Sequence, residues 1–131
     1  KFYDEYDLNC IASIYQQYDG YPESVGYELA VFLESIQMVN GFGYGAKKGE
    51  VANGMGCLAT QYIAKIKTDV GGVYLVDKDN LQEYNYTVHW NDEAEDIEVG
   101  VFDWENNLIF AGNRQEFLRW CENYGDDEED Y

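Results

Sequence analysis

The chain has one proline, one histidine, three cysteines, eight Lys plus Arg, and no apolar run that approaches a membrane span. Each scarcity excludes something. A transmembrane helix needs about 18 or more consecutive apolar residues, so none is expected. The opening stretch Lys1 to Asn9 also lacks the apolar core of a secretion signal, and the expectation is a soluble, unexported, cytoplasmic chain. Cys10, Cys57 and Cys121 are odd in number and form no CxxC, which fits reduced thiols better than a disulfide framework. With His89 as the only histidine, a zinc site would have to gather all three cysteines from distant segments. No metal or cofactor is expected. A lone Pro22 and the lack of an internal repeat exclude a Pro-rich linker and a repeat array.

The shortage of Lys and Arg excludes unaided binding of DNA, RNA or anionic membranes, because those partners are held by releasing counterions to basic side chains. What is abundant is acid: 26 Asp plus Glu give a net charge of −18 on 131 residues. Solubility asks for no more than about 8 charges on a small domain, so some function has to repay the self-repulsion. With 17% aromatic residues the chain is no disordered polyelectrolyte, and its length suits a single domain. That domain is taken as residues 1–124, followed by an acidic tail, residues 125–131.

The acid is unevenly placed. Residues 1–46 hold seven acids against Lys1, residues 47–78 hold three against five Lys, and residues 79–131 hold 16 against Arg114 and Arg119. No Lys or Arg lies between Asp79 and Asn113, where Asp79, Glu83, Asp92, Glu93, Glu95, Asp96, Glu98, Asp103 and Glu105 accumulate. The tail adds Asp126, Asp127, Glu128, Glu129 and Asp130. Such a tail cannot bury enough surface to order itself, and would be held by basic groups of a partner.

Periodicity predicts a strand over Leu8 to Gln17, a helix from Pro22 to Met38, a Gly-rich loop, and a second helix from Met55 to Lys67. Strands follow at Gly72 to Asp77 and Glu83 to Trp90, paired across a turn at Lys78 to Asn80, and at Ile97 to Trp104 and Leu108 to Ala111. A helix over Arg114 to Glu122 closes the chain. The order β-α-α-β-β-β-β-α predicts an α+β fold, a single antiparallel sheet with helices packed mainly on one face.

Ile14-Tyr15, Tyr18-Asp19-Gly20-Tyr21-Pro22-Glu23, Gly26, Leu29, Phe32, Val39-Asn40-Gly41 and Asn53-Gly54-Met55-Gly56-Cys57-Leu58-Ala59 run in that order. In this pattern the chain resembles a group of small uncharacterised proteins of bacteriophages and mobile elements, over about residues 11–76. The resemblance supplies no activity. It implies a phage-type origin, hence proteins that act on a host, and it does not reach the acidic second half.

Four constellations bear on chemistry. Acids interleaved with Tyr84, Tyr86, Trp90, Phe102 and Trp104 could imitate a phosphate backbone, since duplex DNA carries one charge per about 1.7 Å of axis. Residues two apart on a strand lie on one face about 6.6 Å apart, so Glu93 with Glu95, or Asp103 with Glu105, would form rows of carboxylates. The competing reading is a solvated acidic face. The loop Asn40 to Gly49 matches no phosphate-loop signature and reads as an interaction loop, with Phe42, Tyr44, Lys47 and Lys48 docking beside a basic channel. Cys57, His89 and Asp103 follow the order of papain-like hydrolases, against the plainer reading of a core thiol and a surface histidine. Asp92 to Asp96 lacks the spacing of a calcium loop. The expectation is therefore a non-enzymatic inhibitor that presents a DNA-like surface to a basic nucleic-acid-binding host protein, such as a CRISPR effector or a restriction nuclease. A plain acidic interaction module and a Cys-His hydrolase are the alternatives.

Overall fold

A computed structural model of the chain describes residues 1–6, 8–17, 20–39 and 51–124. Nine strands and three helices follow in the order β1 (Phe2–Tyr3), β2 (Cys10–Ala12), β3 (Ile14–Gln16), α1 (Tyr27–Glu34), β4 (Gln37–Val39), β5 (Val51–Asn53), α2 (Gly54–Ile66), β6 (Val73–Leu75), β7 (Tyr84–Asn91), β8 (Asp96–Asp103), β9 (Leu108–Asn113) and α3 (Arg114–Asn123) among the described residues. A π-helical turn, Pro22–Gly26, leads into α1.

The single antiparallel sheet expected from the sequence is not what forms. The main sheet has five strands in the order β2-β1-β7-β8-β9 and is mixed, because β1 runs parallel to β7 through Phe2 and Val88. Two further pairs stand apart from it: β3 with β6, antiparallel, and β4 with β5, parallel. The expected strand over Leu8 to Gln17 is broken at Ser13, which is buried, donates its hydroxyl to the Asp77 carbonyl (3.3 Å), and accepts from Val76 N through its own carbonyl (2.9 Å). Those bonds turn the chain from one sheet to the other. They also bring β6 onto β3 (Ile14 opposite Leu75, Gln16 opposite Val73), so the expected pairing of residues 73–76 with 84–90 does not occur. The long helix expected to Met38 stops at Glu34, and Gln37–Val39 becomes β4.

The hairpin β7–β8 sets the two faces of the sheet. Val88 pairs with Val99 and Trp90 with Ile97, and Val88, Ile97, Val99 and Val101 are buried with Leu29, Leu33, Leu58, Met55 and Phe117 from the helices. Each fully buried side chain of this type contributes about 1.5–3 kcal/mol, which fixes the register against a one-residue slip. The alternate residues Thr87, His89 and Glu98 therefore lie on the opposite face. α3 starts on a capping box: Asn113 Oδ1 accepts from Glu116 N and Glu116 Oε1 from Asn113 N, both at 2.9 Å. Gly26 is placed where a Cβ would come within 3.1 Å of the Tyr86 ring and 3.3 Å of Cys121 Sγ, so a side chain there would force one of them to give by a few tenths of an ångström. No helix among the described residues is long and apolar enough to cross a membrane.

Candidate functional site

The carboxylates of the second half divide into those that hold the fold and those that hold nothing. Asp96 belongs to the first group: its Oδ1 accepts from Ile97 N (2.8 Å) and lies 2.7 Å from Arg114 Nη2. Glu98 accepts from Asn91 Nδ2 (2.8 Å) and faces His89 Nε2 at 3.5 Å. Asp103 organises the β8–β9 turn, with Oδ1 accepting from Glu105 N (3.0 Å) and Asn107 N (2.9 Å). These three have hydrogen-bond partners within the fold.

Asp92, Glu93 and Glu95 form the second group. They occupy the four-residue connection between β7 and β8, closed by the pair Asn91–Asp96, and all are exposed. Among the described residues none of their side chains carries a hydrogen bond or ion pair, and the same holds for Asp79, Glu83 and Glu105. Glu93 and Glu95 thus lie on a turn, as does Glu105, and the expected rows of carboxylates along a strand do not form. Glu95 has a φ of +52°, a left-handed conformation that costs a non-glycine residue about 1 kcal/mol or more.

Below this turn lies an open groove of about 400 Å³ lined by Glu5, Met38, Met55, Trp90, Asp92 and Glu95, together with Val39 and Gly54. Three carboxylates beside one aromatic and two thioether side chains suit a guanidinium or ammonium group. Sequence reading missed Glu5. Its Oε2 accepts from Met55 N (3.0 Å) at the start of α2, where Gly54 has a φ of +80° and the first helical turn contains no acid of its own. That acid-free helix start was the one local signal that a carboxylate from elsewhere completes it.

The other expectations fare unevenly. Phe42, Tyr44, Lys47 and Lys48, and the tail Asp126, Asp127, Glu128, Glu129 and Asp130, lie outside the described residues. Of the remaining lysines, Lys65 sits over the Phe32 ring (5.9 Å) and Lys67 over Tyr74 (5.6 Å), the latter donating to the Gly71 and Val73 carbonyls. Cys57, His89 and Asp103 are not assembled: Cys57 packs against the core from α2, His89 is on the opposite face of the sheet, and Asp103 is spent on its turn. No family model, curated protein or solved structure matches the chain.

Proposed function

We propose that the protein is an acidic decoy, which occupies the nucleic-acid channel of a basic host protein such as a CRISPR effector or a restriction nuclease. The observation that carries this reading is the carboxylate turn Asp92, Glu93 and Glu95, without a partner among the described residues, mounted on the long β7–β8 hairpin and continued by Glu5 across the Trp90 groove. Carboxylates that no cation among the described residues neutralises are attracted to Arg and Lys, and a hairpin mount spares the ordering cost that a flexible acidic tail would incur. Trp90 and the two methionines give an incoming arginine an apolar bed, so the surface can grip a channel wall as well as repel DNA from it. Inhibition of this kind needs no bond to be made or broken.

The mimicking surface is centred on the hairpin turn, with Asp79, Glu83 and Glu105 as outlying charges. Asp96, Glu98 and Asp103 support the scaffold. Titrating the protein into a preformed complex of a restriction nuclease, or of a CRISPR effector, with labelled duplex DNA tests the reading. Release of the DNA, competitive in its concentration, supports it, and a ternary complex with the DNA still bound contradicts it.

A further inference from the structure

We infer that the open face of the main sheet carries a binding site for the base of a free, uncharged nucleoside, at a pocket separate from the acidic groove. The pocket is a shallow, open one of about 380 Å³, within the size range of clefts that hold small ligands. Its apolar lining is Tyr3, Leu8 and Phe102, and its polar floor is the β7 face of Asn85, Thr87 and His89, with Asn106 and Lys1 also lining it.

The floor is built, not incidental. Asn85 is 7% exposed, and its amide is locked in both directions to Gln82, Nδ2 donating to the carbonyl and Oδ1 accepting from the N–H, each at 2.9 Å. Thr87 Oγ1 donates to the Gly100 carbonyl (3.3 Å), which leaves its lone pairs to accept from a ligand. His89 turns Nε2 toward Glu98, itself held by Asn91, so Nδ1 is the ring nitrogen left to offer. The Asn106 side chain makes no hydrogen bond among the described residues and brings a donor and an acceptor on one planar group. An amide, a hydroxyl and an imidazole beside a Phe102 ring match a flat heteroaromatic ligand with donors and acceptors on its edge.

Backbone strain marks the same place at Leu8. Its φ of +61° is a left-handed conformation costly for a leucine, whereas the +65° of Asn106 is one that Asn adopts readily in a hairpin turn; both residues line this pocket. Leu8 is also 63% exposed, so a bulky apolar side chain is held in an unfavourable conformation without the reward of burial. Closing that side chain over a bound base would supply the reward. The base is that of an uncharged nucleoside, because Lys1 is the one cation lining the pocket and stands against Glu98 beside His89 and a net charge of −18 on the whole chain, a balance that opposes a phosphate.

The test is a titration of the protein, followed by NMR, with adenosine, guanosine, cytidine and uridine and in parallel with their 5′-monophosphates. At least one nucleoside should bind saturably, with a Kd tighter than about 1 mM and shifts at Tyr3, Thr87, His89 and Phe102. Its monophosphate should bind more weakly. Phe102→Ala should weaken binding about 10- to 100-fold by removing the stacking surface. Asn106→Gly keeps the left-handed backbone and removes only the amide, so it should weaken binding with the melting temperature unchanged or raised, even if Phe102→Ala fails to fold. The double variant Asp92→Asn, Glu95→Gln should bind the nucleoside as before. Absence of saturable binding, tighter binding of the monophosphate, or indifference to Asn106→Gly would each overturn the inference.

Discussion

Arg114 ties Asp96 to the end of a helix. Its Nη2 lies 2.7 Å from Asp96 Oδ1, while Nη1 donates to the carbonyl of Leu33 (2.7 Å), in the last turn of α1, and to that of Ile36 (2.5 Å), just past it. One guanidinium therefore clamps the C-terminal end of α1 to the start of β8, and the acid on the other side of it serves the fold.

This clamp predicts an asymmetry between two substitutions. Arg114→Met should cost about 3 kcal/mol, since it takes a charged donor from two carbonyls and the cation from a carboxylate, whereas Asp96→Asn should cost about 1 kcal/mol, because Asp96 is partly exposed and Asn keeps a hydrogen-bonding oxygen. Urea denaturation of the two variants checks the order. Equal losses would show that the carboxylate, not the pair of carbonyls, is what Arg114 serves.

Gly26 supplies a second stability prediction. Gly26→Ala should destabilise by about 1–3 kcal/mol, because the new methyl meets the Tyr86 ring and Cys121 Sγ, and Tyr86 cannot retreat without losing its hydrogen bond to the Gly20 carbonyl (2.8 Å). Adding Cys121→Ala should recover part of the loss, and a double variant no more stable than the single one would place the clash on Tyr86 alone.

Stability should fall steeply in alkali. Burial raises the Cys121 thiol from 9.0 to about 12, with Glu23 and Glu122 adding to the shift, and burial raises Tyr62 and Tyr86 above the ordinary 10.0. The hydrogen bond to Tyr124, with burial and nearby acids, does the same for Tyr84. All four are neutral in the fold, so above pH 9 the unfolded chain loses protons that the folded chain keeps, and stability present below pH 9 drains away between pH 9 and 12. Cys121→Ala should delay the onset of the decline to about pH 10, where tyrosine begins to titrate. Melting temperatures measured from pH 7 to pH 11 decide it; a flat profile would contradict the burial of these groups.

The local elements with strong periodicity were legible in the sequence: α2, the β8–β9 hairpin and α3 fall close to where Leu58, Tyr62 and Ile66, the Asn106-Asn107 turn, and Phe117 with Cys121 place them. The sheet was not, because its first strand has two residues and its register rests on Phe2 meeting Val88 across 86 positions. No window of sequence contains that contact. Ser13 misled for the same reason, since a small polar residue inside an apolar run continues a strand unless a distant segment, here Val76 and Asp77, takes its backbone. In the candidate site the acids were legible as a set, but their division was not. Asp96 and Glu95 are neighbours of one type, and only Arg114, 18 positions past Asp96, separates the scaffold acid from the free one.

The central claim is that the free acids of the β7–β8 turn, rather than acidity in general, act as the decoy. The most direct measurement is inhibition of DNA cleavage by a restriction nuclease and by a CRISPR effector. It compares the wild-type protein, the triple variant Asp92→Asn, Glu93→Gln, Glu95→Gln, and a control with three acids removed elsewhere, Glu28→Gln, Glu34→Gln and Asp69→Asn. The account predicts that wild-type inhibition weakens steeply between about 50 and 200 mM salt, that the turn variant keeps its melting temperature but loses inhibition, and that the control of equal net charge still inhibits. Equal potency of the turn variant and the wild type, or no inhibition of either enzyme at low salt, would contradict it.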